Sequence, residues 1–207
     1  MKICNIETDI TDHCNLTCAE CSHHSPYISK GVYPLDQFEK DVNTFAESVQ
    51  CEWFKILGGE PLLNRELSSY IDALQTSGIC KKIALFTNGT LLHRVDPQVF
   101  QHIDCLVVSR YPGSDKYTEH VRSNVEKFRD ILPVVHNYYD MFEAQNFLEA
   151  NESPELVQQI FDRCKLRYEC NAIYKGKFYK CMACVRKEEF LGKYNVRDEK
   201  LSSTGDG

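Results

Sequence analysis

From Lys2 to Phe161, short β-branched runs alternate with segments whose apolar residues recur every three or four positions. That alternation restricts the chain to folds built from βα units around a parallel sheet. Ile3, Ile6, Thr8 and Ile10 mark a strand within residues 2–10, and Leu35, Phe38, Val42, Phe45 and Val49 fall on one helix face. Trp53 to Leu57 reads as a buried strand stopped by Gly58 and Gly59, and Leu67, Ile71 and Leu74 restore the helical spacing up to Gly78. Ile83 to Phe86 is a third strand, Asn88-Gly89 a turn, and Asp96-Pro97 a helix start, since Asp caps and Pro is tolerated in the first turn. A strand from Leu106 to Ser109 follows, then a helix carrying Tyr117, Val121, Val125 and Phe128, then a fifth strand at Val134-Val135. Ser153-Pro154 opens a further helix with Leu156, Val157, Ile160 and Phe161.

The expected fold class is therefore α/β, a partial parallel barrel of (β/α)6 type with a short cysteine-rich C-terminal extension. A complete eight-stranded barrel usually takes roughly 250 residues, and this chain has 207. Past Cys164 the pattern changes, and Ile173-Tyr174 and Phe178-Tyr179 on either side of Lys175-Gly176 read as a small hairpin between cysteines. The expected division is a core barrel over 1–150, a last helix and cysteine-rich extension over 151–200, and a flexible tail over 201–207. That tail, LSSTGDG, has the composition of a frayed terminus or of a chain cut before a further segment.

Charge and hydropathy narrow the function. The 24 basic and 30 acidic residues leave a net charge of -6 with no basic run, which argues against a nucleic-acid partner. No apolar run approaches the roughly 18 residues of a membrane span, and the opening MKICNIETD lacks an apolar leader core, so a cytoplasmic protein without membrane contact is expected. Eleven cysteines in a reducing compartment point to metal or redox chemistry before disulfides. Cys4, Cys51, Cys80 and Cys105 are scattered along strand-like segments and read as small buried hydrophobes.

Cys14, Cys18 and Cys21 place three thiolates within eight residues, directly after the first strand. Around a four-iron cluster, three ligands leave one iron open for chemistry on a substrate or cofactor. With zinc, a fourth ligand from His13, His23 or His24 would close a structural Cys3His site. Further on, Gly58-Gly59-Glu60-Pro61 stands at the carboxyl end of the second strand, where glycines let backbone approach closely and a carboxylate can meet an amine.

With both motifs in order and Thr87-Asn88-Gly89 after the third strand, the chain resembles the radical S-adenosylmethionine (SAM) superfamily over about residues 2–140. The resemblance implies that Cys14, Cys18 and Cys21 ligate three irons of a 4Fe-4S cluster while SAM chelates the fourth. It implies that the backbone at Gly58 and Gly59 and the carboxylate of Glu60 hold the methionine amine of SAM, with Ser109, Thr87 and Asn88 lining the same mouth. One electron then cleaves SAM, and the resulting 5'-deoxyadenosyl radical abstracts hydrogen from an unreactive carbon. An external donor such as flavodoxin or ferredoxin is implied. Many relatives carry an aromatic residue near adenine before the third cysteine, where this chain has Glu20. His23 and His24, just past the cluster motif, and Tyr111, just past the fourth strand, are weak candidates for substrate contact or proton transfer, with ordinary loop polarity the plainer reading.

Cys164, Cys170, Cys181 and Cys184 supply four further thiolates, enough for zinc or a second iron-sulfur cluster. Gly176-Lys-Phe-Tyr-Lys-Cys181 resembles the hairpin of SPASM and twitch auxiliary-cluster domains, although the rest of the SPASM cysteine pattern is missing. The expected substrate is a small polar molecule (a carbohydrate, nucleoside or natural-product intermediate) or a peptide. A glycyl-radical-enzyme activase and a 7-carboxy-7-deazaguanine synthase-like enzyme are alternatives that would not call for the late cysteines. A zinc-stabilised binding module is the alternative of another class.

Overall fold

The computed structural model describes residues 2–111, 113–138, 153–164 and 169–194. Five parallel strands, β1 (Lys2–Asp9), β2 (Gln50–Leu57), β3 (Cys80–Thr87), β4 (Cys105–Arg110) and β5 (Val134–Tyr138), are joined by crossovers and lie side by side in chain order. The crossovers carry α1 (Leu35–Ala46), α2 (Leu67–Ser77) and α3 (Asp115–Glu126); between β3 and β4 stand two short 3-10 turns instead. Asp96 still starts the second of these by accepting from the Gln98 N–H at 2.9 Å, but only six residues, Pro97–His102, separate it from the approach to β4.

Alternation along each strand sends one set of side chains to the helices. Ile6, Phe54, Ile56, Ile83, Leu85, Leu106 and Val108 are buried there with Phe38 and Val42 of α1, Tyr70, Ile71 and Leu74 of α2, and Val121 and Val125 of α3. These helical residues are the apolar stripes read from sequence. Gly78 ends α2 with φ of 66°, a left-handed C-cap that glycine adopts without a Cβ penalty. The opposite sheet face holds a smaller apolar group of Ala84, Cys105 and Val107 with Trp53 and Phe86.

Among the described residues the sheet does not close. Beyond Cys164, the chain returns to the other edge, where β6 (Ala172–Tyr174) pairs parallel to β1 at Glu7↔Ala172 and β7 (Lys177–Tyr179) turns back antiparallel. The full order is β5-β4-β3-β2-β1-β6-β7, so the hairpin of the extension continues the main sheet. Lys175 and Gly176 both have positive φ, as a two-residue hairpin turn requires. Their N–H groups are held at 2.7 Å by the Tyr33 hydroxyl and the buried Asp41 carboxylate, and this ties the turn to α1.

Two helices complete the described chain, α4 (Pro154–Arg163) and α5 (Lys187–Lys193). The expected helix at Ser153-Pro154 is present, with Ser153 capping it. Its apolar residues Leu156, Val157, Ile160 and Phe161 stay exposed. Of the four scattered cysteines, Cys51 and Cys105 are buried and Cys80 is half-buried. Cys4 is exposed, a correction to the expected burial: it lies in the first half of β1, where burial alternates before the strand enters the core. No described helix is long and apolar enough to cross a membrane.

Candidate iron-sulfur and SAM site

The carboxyl ends of β1, β2 and β3 bring the sequence motifs together. After β1 the ladder to β2 extends past the regular strands: the Gly59 N–H donates to the Thr11 carbonyl at 2.8 Å and the Glu60 N–H to the His13 carbonyl at 2.9 Å. The GGEP turn thus runs against the residues that lead into Cys14. A Cβ on Gly59 would lie 2.3 Å from the His13 carbonyl oxygen, and one on Gly58 2.6 Å from that of Thr11. Both glycines permit the cysteine loop and the GGEP turn to touch.

Cys14, Cys18 and Cys21 are half-buried free thiols. Cys14 accepts from the Leu16 N–H at 3.3 Å and from the Asn88 side-chain amide at 3.7 Å. Burial pushes the Cys14 thiol up to about 11, with the carboxylate of Glu60 and the neighbouring sulfurs of Cys21 and Cys18 adding to it. Cys18 is raised by burial and by Cys21. Two thiols that burial keeps from ionising, Cys14 and Cys18, with amide donors aimed at Cys14 and Cys21 close by, suit a shared iron cluster whose positive metal centres offset the thiolate charge.

Glu60 is fully buried, and its carboxylate accepts from the Thr87 hydroxyl at 2.6 Å, the Leu62 N–H at 3.1 Å and the Asn88 N–H at 2.8 Å. Burial dominates and raises it to about 7 despite these three donors. The carboxylate thereby joins the end of β2 to the Thr87-Asn88 turn. The turn in turn meets the cysteine loop: the Asn88 side chain donates to Asn15 Oδ1 at 2.9 Å, and Asn15 donates to the Thr90 hydroxyl at 2.8 Å. Cys14, Glu60, Thr87 and Asn88 therefore form one connected group. Ser109 is buried at the end of β4, and Tyr111 is half-buried just beyond it.

His23 and His24 part company. His23 Nδ1 lies 2.9 Å from the buried carboxylate of Asp9 at the end of β1. Burial opposes its charge, but the charge and hydrogen bond of Asp9 outweigh it and hold His23 up to about 9. His24 stacks on Phe190 of α5, and burial lowers its pKa. His13 shares a 3.0 Å hydrogen bond with the Thr11 hydroxyl. Among the described residues no three histidine, cysteine, aspartate or glutamate side chains meet as ligands of a single metal ion.

Of the late cysteines, Cys181 donates to Cys184, whose pKa that bond lowers. Cys170 is pushed up to about 12, first by burial, then by Glu7, Cys181 and Cys164. Glu7, buried on β1 and raised by burial to about 7, accepts from Cys170 and interacts with the charge of His23.

Several residues of this region escaped sequence reading. Asn15 adjoins Cys14 but belongs to no motif; Tyr117, expected as a helix core marker, carries a buried hydroxyl and is raised first by burial, with Cys18 and Glu60 nearby. Asp9 and Asp12 had one visible signal, two acids interrupting the apolar stretch Ile6 to Ile10 and its continuation.

Residues 9–129 match the family model for the 4Fe-4S single cluster domain, and the chain belongs to that family. Its fold and motifs are those of the radical SAM enzymes, the class that uses a 4Fe-4S cluster with SAM. A GTP 3',8-cyclase of Mannheimia succiniciproducens is 23% identical over 203 residues, covering 95% of this chain and 59% of that protein. The chain thus spans about three fifths of the curated relative's length. Among solved structures, BtrN in complex with AdoMet and 2-DOIA aligns with a TM-score of 0.58 at 15% identity, over 98% of this chain and 85% of that one. Histidine-tagged anSMEcpe with bound AdoMet aligns at 0.64 and 12% identity, over 100% and 81%. Native anSMEcpe with AdoMet and the Kp18Cys peptide aligns at 0.51 and 19% identity, over 67% and 43%.

Proposed function

We propose that this chain cleaves SAM reductively at a cluster held by Cys14, Cys18 and Cys21 and uses the product to abstract hydrogen from a substrate. The observation that carries the reading is the junction of the three half-buried thiols with the GGEP turn and the Thr87-Asn88 turn at the carboxyl ends of β1, β2 and β3. When bound, the reduced cluster supplies the electron that splits SAM to the 5'-deoxyadenosyl radical.

The chain's own residues bind and orient. Gly58 and Gly59 bring the SAM-binding turn against the cysteine loop, and Glu60 fixes that turn to Thr87 and Asn88 while adding negative charge near the SAM amine. Asn88 steadies the sulfur of Cys14, and Ser109 contributes a hydroxyl at the β4 end of the same rim. Residues 1–150 serve as the core and 151–200 as the extension, while the expected tail over 201–207 lies outside the described residues. In the extension Cys164, Cys170, Cys181 and Cys184 hold a second iron-sulfur cluster or zinc, a reading supported by their mutual electrostatic influence.

The substrate is a small polar molecule or a peptide, classes named in the complexes of BtrN and anSMEcpe respectively. An external flavodoxin- or ferredoxin-type donor supplies electrons, and a reducing cytoplasm suits eleven free cysteines. The late cysteines, which the activase and deazaguanine synthase alternatives do not call for, weigh against both. Anaerobic purification tests the proposal: a brown, iron-bearing protein that releases 5'-deoxyadenosine from SAM under reduction supports it. A colourless zinc protein inert toward SAM would establish the binding-module alternative.

A further inference from the structure

The residues after Cys184 run back across the loop after Cys21, and their contacts come from both ends of that loop. The Arg186 guanidinium donates to the buried carboxylate of Asp12, two residues before Cys14, and to the Tyr174 hydroxyl. It also lies over the Tyr174 ring at 4.4 Å, while the Tyr174 hydroxyl donates to Asp12 at 3.3 Å. The Asp12 N–H donates to the Gly31 carbonyl at 2.9 Å, so the same residue closes the base of the loop. Further along, Phe190 stacks on His24 with centroids 4.4 Å apart and planes at 21°, and meets the Tyr27 ring edge-on at 5.6 Å. Glu189 accepts from the Ser29 N–H at 2.6 Å. The backbone of Ala183, between Cys181 and Cys184, reaches the His24 ring.

Residues 12–31 contain no helix or strand; the Thr11↔Val32 bridge only pins their base. A loop of this length without a backbone ladder samples many shapes unless side chains select one. Asn15, through Asn88 and Thr90, holds it on the β3 side. On the other side stand the contacts of Arg186, Glu189 and Phe190. A planar guanidinium bridging a carboxylate and a phenol in a buried setting fixes position more narrowly than a point charge does, and a buried ion pair of this kind selects one arrangement among those the backbone permits.

We infer that residues 181–194 form a latch that holds the Cys14–Cys21 loop in its cluster-binding shape, with Arg186 as the positioning residue. The inference rests on the reading of Cys14, Cys18 and Cys21 as the cluster ligands. Its test begins on the metal-free, full-length chain. Amide hydrogen exchange is compared among wild type, Arg186→Gln and Phe190→Ala, with circular dichroism to establish folding. Amides within 12–31 exchange about tenfold faster in both variants while those of α2 and β3 keep their rates, the pattern of local opening. Arg186→Lys, which keeps the charge but loses the fork, falls between wild type and Arg186→Gln. After anaerobic reconstitution, iron leaves the variants faster than wild type on chelator challenge.

Unchanged exchange over 12–31 in a folded variant overturns the latch, as does acceleration spread evenly over the whole chain. Should Arg186→Gln fail to fold, Phe190→Ala decides by the same criteria, because it leaves the Arg186–Asp12 pair intact. Faster loop exchange in proteins that take up no iron, wild type included, would keep the latch and overturn the cluster assignment.

Discussion

Replacing Glu60 with Gln tests the electrostatics of the site at its most buried charge. The carboxyl rises from an ordinary 4.5 to about 7 because burial outweighs the donors from Thr87, Asn88 and Leu62. That displacement disfavours the ionised form by about 3 kcal/mol. Between pH 4.5 and 7 the folded chain keeps the Glu60 proton while the unfolded chain gives it up, so the folded state binds more protons and stability falls as pH rises through this window. Glu7, raised to about 7, and His23, raised to about 9, act in the same direction, and both remain in the variant. In Glu60→Gln the Glu60 contribution disappears. The new amide nitrogen cannot accept, so a buried donor loses its partner at a cost of about 1–3 kcal/mol at either pH. The variant is therefore destabilised more at pH 5 than at pH 7.5, the gap between the two penalties being about 2 kcal/mol. Urea unfolding of the metal-free protein at both pH values measures it. Parallel pH dependences for wild type and variant would refute the assignment of a strained, buried charge to Glu60, and on the reconstituted protein SAM affinity falls more than iron content.

Cys18→Ala leaves a soluble fold, because the buried side chains of the sheet and α1 to α3 supply most of the stability; it abolishes SAM cleavage, and retained release of 5'-deoxyadenosine would sink the ligand assignment. Gly59→Ala forces a methyl to 2.3 Å from the His13 carbonyl, so the GGEP turn and the cysteine loop part; iron content after reconstitution drops severalfold while the unfolding midpoint of the core moves far less, and full iron loading would contradict the close-approach argument. A variant lacking Cys14, Cys18 and Cys21 retains stoichiometric iron or zinc at the late cysteines, since thiolate binding couples to folding of the extension. A folded, metal-free protein would show those four thiols to be idle.

What sequence could reveal here depended on how local the determinant was. Helix faces such as Leu67, Ile71 and Leu74 were legible because periodicity and burial are the same fact seen twice. The turn at Lys175-Gly176 was legible because Ile173-Tyr174 and Phe178-Tyr179 flank it as two short apolar runs. Exposure of Leu156, Val157, Ile160 and Phe161 was not, since an apolar stripe states that a face seeks cover and not whether described neighbours provide it. The two glycines of GGEP could be read as a close approach, but their sequence does not name what approaches; the register Asp9↔Leu57 decides that it is the stretch entering Cys14. The pairing of Arg186 with Asp12 was beyond reach: the acid was visible but its partner was not, and they meet because β6 returns beside β1 instead of following β5. The same return lays Ala183 and Phe190 on His24. Topology, set by the far end of the chain, thus completes the walls of a loop whose three proposed ligands lie within the first twenty-one residues.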